Sequence, residues 1–494
     1  MKTVTSGRWR KRAAWTCAAW LLALGAPGGA SGQVEGPPPV PGFTPCESMR
    51  GSAWCGTVTV PEDHANPSSR RIDLRVKVLS ATEPSAADPV FFLAGGPGQA
   101  VADLEPAIIG RFATRLPDRD FVLVDQRGTG GSNPLSCPTD APRDPSRFFG
   151  PHYTEAELKA CLSELAPRAD VRLYTTTDFA RDLEAVRVAM GYGPINVVGG
   201  SYGTKAAQVF MRAFPASVRA AVLEGVASTS FLNPLPAARG SQDALDALFA
   251  DCAADEKCNR IFPDLKARFQ RLMERLEADP PPVTVPGSDV TVPLERDAMA
   301  YIVHLLLFST NSATLVPSLI GQVEGGHHQI LTAVYKQIVD SLVEGIYFGL
   351  QLTVTCTENV PWFAQRDLDA ETRGTYIGRM MVDGMAEECT RWPRGAVPAG
   401  FHDPVTVDVP TLLVSGGLDP ATPRRFADEV AESLPRATHV TVAQGAHITP
   451  HPCVDQIVAD FIIQGGPETL STGCVDRIRR PPFQLPQVDV PRGG

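Results

Sequence analysis

The sequence predicts an α/β architecture, a doubly wound and mostly parallel sheet with an inserted, mostly helical cap. Three observations predict it. Short, continuous apolar runs recur at 89–93, 121–124, 195–198, 220–223 and 411–414, as strands buried on both faces require. A stretch with helical spacing, Asp178 to Met190, puts Phe179, Leu183, Val186 and Met190 on one face between two of those runs. Between Val226 and about Gly400 the strand rhythm stops and helical patterns dominate.

The elements follow in order. Residues 1–32 read as an export signal: a basic stretch ending at Arg12, the apolar segment Ala13 to Ala26, then small residues. Cleavage after Ala30 or Gly32 fits a small-x-small rule. The apolar stretch is too short for a stable membrane span, so no membrane association is expected after cleavage. A Pro/Gly-rich linker fills 33–45, and the first part of the sheet domain 46–230. Thr57 to Val60 and Ile72 to Leu79 are strand-like, and the alternation of the second predicts a half-exposed edge strand. The cap, 231–400, is expected to hold helices over Ser241–Cys252, Phe262–Ala278, Asp297–Phe308 and His328–Leu342, with a short strand pair near Val283 and Val290. Residues 401–494 return to the sheet with strands at Thr411–Val414 and His439–Val442.

Composition narrows the function classes. The chain has 494 residues and a net charge of −10, which becomes −15 once the five basic side chains of the first 32 residues are removed. An acidic chain of this kind is a poor nucleic-acid binder. Of 11 cysteines, all but Cys17 fall into neighbouring couples: Cys46 with Cys55, Cys137 with Cys161, Cys252 with Cys258, Cys356 with Cys389, and Cys453 with Cys474. Five disulfides in an oxidising compartment is the natural reading, with neighbour pairing the expected connectivity. No Cys/His cluster suggests zinc.

The chemistry is concentrated at Gly199-Gly200-Ser201-Tyr202-Gly203, which follows the apolar run Ile195–Val198 and precedes a helical stretch. Gly-x-Ser-x-Gly in a strand-to-helix turn holds the serine clear of the sheet, open to a base on one side and substrate on the other. The chain order serine, acid, histidine then selects the partners. Asp419 follows the strand 411–414 and His447 follows the strand 439–442, so both fall at strand carboxyl ends, where such sheets bind ligands. Glu224, after the strand that follows the elbow helix, is the rival acid. His451, His402, His304, His327 and His328 are the rival bases, His304 reading as a packed cap residue. Two backbone N–H groups are needed for an oxyanion. Tyr202, directly after the serine, supplies one, and Gly96 in the loop after 89–93 supplies the other. Neither metal nor organic cofactor is required.

The motifs together resemble a known family. Ala94-Gly95-Gly96-Pro97-Gly98 resembles the His-Gly-Gly-Pro-Gly loop of proline iminopeptidases, with alanine in place of histidine, and Asp125 to Ser132 is similar to the same enzymes' Asp-Gln-Arg-Gly-x-Gly-x-Ser segment. Cys389-Thr390-Arg391-Trp392-Pro393, Gly417 to Pro423, and Cys453 with Cys474 resemble the C-terminal region of secreted tripeptidyl aminopeptidases. The resemblance runs from about Cys46 to Cys474. It implies an α/β-hydrolase fold and a serine exopeptidase acting on free peptide N-termini, in families that also contain esterases.

An aminopeptidase must hold the substrate's α-ammonium, and a carboxylate in the cleft would do so. Glu358 is the leading residue for that role, with Glu387 and Glu388 brought near by a Cys356–Cys389 bridge. Asp125 and Arg127 are expected to pair internally and brace their loop. The resulting expectation is an exported serine hydrolase acting on a peptide or small-molecule substrate. Ser201 attacks, His447 moves the proton and Asp419 orients His447. A carboxylesterase or small-molecule amidase with the same three residues is the alternative. An aspartate nucleophile, as in epoxide hydrolases and dehalogenases, is excluded by Ser201. Oligomeric state has no signature in the sequence.

Overall fold

The computed structural model describes residues 40–136, 144–149 and 153–486. The expected signal, most of the 33–45 linker and Cys137 lie outside the described residues. Eleven strands occur among the described residues: β1 (Thr44–Cys46), β2 (Ala53–Pro61), β3 (Arg71–Leu79), β4 (Val90–Leu93), β5 (Phe121–Val124), β6 (Ile195–Gly200), β7 (Val218–Glu224), β8 (Pro282–Thr284), β9 (Thr291–Pro293), β10 (Thr411–Gly416) and β11 (Ala437–Val442). Nine form one sheet in the order β1-β2-β3-β5-β4-β6-β7-β10-β11, while β8 and β9 pair apart from it. From β5 to β11 every pairing is parallel. β1, β2 and β3 join antiparallel on the β5 side.

The apolar runs explain the parallel half. β4 and β5 are buried at every position, and so is β10. Successive side chains leave opposite faces, so Phe91 and Leu93 join one core while Val90 and Phe92 join the other. On the first face the helices Thr176–Ala189, Tyr202–Ala213 and Arg425–Ser433 deliver Phe179, Leu183, Val209, Ala427 and Val430. On the second, Glu105–Phe112 and Pro452–Gln464 deliver Phe112, Ile457 and Phe461. The alternation in Ile72–Leu79 reported a half-exposed face, not an edge: β3 lies between β2 and β5, and the short β1 forms the edge instead.

Between β7 and β10 the chain is mostly helical. Ala237–Ala254, Leu265–Ala278, Arg296–Leu306, Val316–Glu324 and Gln329–Gly345 enclose their own core, including Leu245, Phe269, Met299, Val303 and Ile320. The helix Phe348–Glu358 packs elsewhere. Its Leu350, Leu352 and Val354 join the core of the sheet's first face. That helix was illegible in the sequence because it is buried nearly all round and has no polar stripe to set a period.

Cys46–Cys55, Cys252–Cys258, Cys356–Cys389 and Cys453–Cys474 are bridged, as neighbour pairing anticipated. Among the described residues no helix is long and apolar enough to cross a membrane. The disulfides are compatible with an exported protein.

Candidate active site

Ser201 follows β6 directly and caps the helix Tyr202–Ala213 at φ 55°, ψ −125°. A β-branch-bearing residue rarely adopts positive φ, and even for serine such a conformation costs about 1–3 kcal/mol. The neighbours enforce it. The Ser201 N–H donates to the Glu224 carbonyl of β7 (2.9 Å), and the Ser201 carbonyl accepts from Thr204 N–H (2.9 Å) and from its hydroxyl (2.6 Å). Gly203 lets the helix approach β4, since a β-carbon there would run into the Leu93 carbonyl oxygen.

Asp419 and His447 come together as the chain order predicted. The Asp419 side chain is inaccessible to solvent, and its Oδ2 lies 2.9 Å from His447 Nδ1. The carboxylate is held by backbone N–H groups of Ala421 and Thr422, each 2.8 Å from Oδ1, and by the Thr422 hydroxyl, 2.8 Å from Oδ2. A carboxylate at Nδ1 requires that nitrogen to carry the proton, which leaves Nε2 as the basic atom of the ring. The loop bearing His447 lies over the elbow. The Ile448 side chain comes to 3.1 Å from where a Gly200 β-carbon would stand, and a Gly225 β-carbon would stand equally near the His447 ring. From the cap side, Phe308 accepts a hydrogen bond from His447 N–H (3.1 Å) and sets its ring edge-on to the imidazole at 5.2 Å.

Glu224, His304, His402 and His451 are engaged elsewhere, and the exposed His327 and half-buried His328 lie outside the cavity at Ser201. Glu224 makes a bidentate pair with Arg111 at 2.8 and 2.7 Å, and Arg111 also holds Asp455 at 2.6 Å. His304 is buried, and its Nδ1 lies 2.6 Å from the Ser241 hydroxyl. Burial first, then the nearby His447, pushes the His304 imidazole down to about 4. His402 Nδ1 donates to the Thr229 carbonyl at 2.9 Å, and His451 caps the helix Pro452–Gln464.

A cavity of about 100 Å³ opens on Ser201. Its wall includes Gly96, Tyr202, Lys205, Phe308, Glu358 and Thr422. Gly96 has φ 106°, and among the described residues neither its N–H nor that of Tyr202 meets a hydrogen-bond acceptor. The Tyr202 ring is fixed from behind. Its hydroxyl accepts from Gln126 Nε2 (3.0 Å) and meets the Thr176 hydroxyl (2.7 Å). Thr176 in turn donates through its N–H and its hydroxyl to the two Glu358 oxygens, both at 2.7 Å. Glu358 is thus in the cavity wall but is also a buried strut, and burial raises its pKa despite the opposing pull of Lys205 and Thr176. Glu387 and Glu388 do not line the cavity; Glu387 pairs with Arg391 on the surface.

The Asp125–Arg127 pair does not form. Asp125 instead accepts from the N–H groups of Ala102 (3.1 Å) and Gly131 (3.0 Å), closing its own loop. Arg127 is fully buried against Asp182, with two bonds of 2.6 Å, and donates to the Glu62 and Leu173 carbonyls. The bracing anticipated for the segment is present, but each residue looks to a different partner: Asp125 and Arg127 lie in the turn beyond β5, where strand alternation no longer sets side-chain direction. Lys205, Phe308 and Thr422 were not identified from the sequence. Lys205 carried the only readable signal, since four residues after Ser201 is one helical turn away on the same face.

Comparison with known proteins follows the geometry. Residues 88–280 match the family model described as "alpha/beta hydrolase fold", and residues 374–474 match the one described as "TAP-like protein". The chain is an α/β-hydrolase with a TAP-like C-terminal segment. This α/β-hydrolase is 26% identical over 475 residues to serine protease Hip1 of Mycobacterium tuberculosis, covering 86% of this chain and 88% of that one. It is 30% identical over 196 residues to the tripeptidyl aminopeptidase of Streptomyces lividans, covering 36% of each. It is also 27% identical over 464 residues to a Mycobacterium tuberculosis protein named carboxylesterase B, covering 86% of each. Among solved structures, a proline iminopeptidase from Mycobacterium smegmatis aligns over 83% of this chain and 99% of that one at 14% identity, with a TM-score of 0.39. The chain is a hydrolytic enzyme, and its relatives include serine peptidases.

Proposed function

We propose that this α/β-hydrolase is an exported serine aminopeptidase that releases residues from free peptide N-termini through an acyl-enzyme. One observation carries the reading: a carboxylate on His447 Nδ1 at 2.9 Å, in a loop lying over a serine held at φ 55°. In this mechanism His447 Nε2 takes the Ser201 hydroxyl proton as Oγ attacks the scissile carbonyl. Asp419 keeps the imidazole oriented and offsets the charge that forms on it. The N–H groups of Gly96 and Tyr202 receive the oxyanion, and the Gln126–Tyr202–Thr176 chain keeps the second of them rigid. The proton on His447 passes to the leaving amine, and water then repeats the sequence on the ester. Glu358 meets the substrate's ammonium; each of its oxygens has a lone pair beyond the one given to Thr176.

The second reading is a carboxylesterase or small-molecule amidase, favoured by the carboxylesterase B similarity. Steady-state hydrolysis separates the two. The panel holds fluorogenic amides of Pro, Ala and Ala-Ala-Pro with free amines, their N-blocked counterparts and a short-chain ester, each assayed with native enzyme and Ser201→Ala. Activity that needs Ser201 and a free amine is the expected outcome. Equal turnover of blocked amides or of the ester would transfer the assignment to the esterase reading.

A further inference from the structure

The helix that starts at Ser201 sends Lys205 into the same cavity. The side chain is 3% exposed. Its ammonium donates to the Phe231 carbonyl at 2.9 Å and to Asn359 Oδ1 at 3.3 Å, both neutral. No carboxylate of the described residues lies within ion-pair distance of Nζ. The nearest counter-charge is Glu358, whose oxygens are turned to Thr176. An ammonium has three N–H donors, so one remains beyond these two; the Phe401 ring centroid lies 5.4 Å from Nζ, and Lys205 is part of the cavity wall. Burying a charge without a carboxylate partner is costly, and a perturbed charge of this kind in a cleft marks a candidate ligand site.

The wall therefore presents two opposite charges at different places, Glu358 and Lys205, beside one attacking hydroxyl. An N-terminal residue with an acidic side chain matches both, its α-ammonium on Glu358 and its side-chain carboxylate on Lys205 and Asn359. We propose that Lys205 is a specificity-determining residue that selects acyl groups bearing a carboxylate, so that N-terminal Glu or Asp is preferred over its amide isostere. The proposal rests on Ser201 acylation in this cavity but does not require the free amine.

Burial lowers the Lys205 pKa to about 8, with Glu358 pulling it back up. The other titratable group coupled to it is His402, which burial holds down at about 4, so that ring is neutral when Lys205 titrates. Selectivity should accordingly be full below pH 8 and decline above it.

The test compares kcat/KM for glutamyl and glutaminyl fluorogenic amides, free and N-acetylated, from pH 6 to 10. Native enzyme is expected to favour the glutamyl substrate by roughly tenfold or more at pH 7, as one charged hydrogen bond would give. The ratio should fall toward one above about pH 8. The substrate amine titrates alike in both members of a pair and cancels. Lys205→Met should abolish the ratio by slowing the glutamyl substrate while leaving the glutaminyl one within a few-fold. An equal loss on both substrates, or a native ratio near one at every pH, would overturn the proposal. Calorimetric binding of glutamic acid α-amide and glutamine amide to Ser201→Ala provides a readout free of catalysis. If no amide is turned over yet the acidic ligand binds more tightly and loses that advantage in Ser201→Ala/Lys205→Met, the peptidase reading fails and the role of Lys205 stands. Equal binding of both ligands would refute the Lys205 role whatever the fate of that reading.

Discussion

The two walls of the cavity are built by different rules. On the sheet side, Ser201, Asp419 and His447 sit on turns that follow β6, β10 and β11, and backbone hydrogen bonds hold them. On the helical side, Phe308 comes from the segment after Arg296–Leu306, while Glu358 ends a helix that packs on the sheet's core; ring contact and the Phe308 carbonyl tie the first to His447, and the Glu358 carboxylate ties the second to Thr176. Lys205 is carried by the elbow helix yet is held by Phe231 and Asn359. The lesson is a division of labour: backbone-determined turns carry the residues proposed to react, and the packing over them shapes the cavity they face.

Substitutions on the sheet side should have the largest effects. Ser201→Ala is expected to lower kcat by roughly a millionfold and Asp419→Asn by on the order of ten-thousandfold, with far-ultraviolet circular dichroism unchanged. A variant of either that kept a tenth of native activity would break the comparison. Gly203→Val tests whether backbone approach, not chemistry, makes the elbow. It should destabilise by more than about 4 kcal/mol in urea unfolding, because a β-carbon meets the Leu93 carbonyl. On the helical side, Phe308→Ala removes the edge-on contact with His447 and should cost roughly threefold to tenfold in kcat/KM. A loss as large as that of Asp419→Asn would show that the walls are not distinct in role.

At His304 the expected effect is on stability and not on turnover. Folded, its imidazole stays neutral down to about pH 4, whereas in the unfolded chain it takes up a proton near its ordinary value of 6.5. Between those values the unfolded state binds more protons, so this group makes stability fall with acidification by up to about 1.4 kcal/mol per pH unit. Its contribution is constant above pH 6.5. His304→Gln should therefore narrow the difference in Tm between pH 7 and pH 4.5; an unchanged difference would place the acid sensitivity elsewhere.

The legibility of the chain follows the same division. Phe91, Val122, Val197 and Leu413 were readable as strand residues because burial on both faces makes a strand apolar throughout. Ser201, Asp419 and His447 were readable because the order of elements places their turns on one edge of a parallel sheet. Local rules failed where partners are remote. The alternation in β3 could not say that β2 would cover its free edge. Asp125 and Arg127, two residues apart, found Gly131 and Asp182 instead of one another. Phe348–Glu358 has no polar stripe because neighbours enclose it on nearly every side.

By itself the sequence determined the parallel sheet, the strand-to-helix turn at Ser201, the turns that bring Asp419 and His447 together, and four of the disulfide pairings. All of these depend on short-range patterns or on the order of elements along the chain. Only the tertiary structure decided that Phe308 would lean on His447, that Thr176 would occupy both oxygens of Glu358, and that Lys205 would face the cavity without a carboxylate beside it. Those contacts join residues far apart in the chain, and their energies depend on packing and desolvation that no local window of sequence contains.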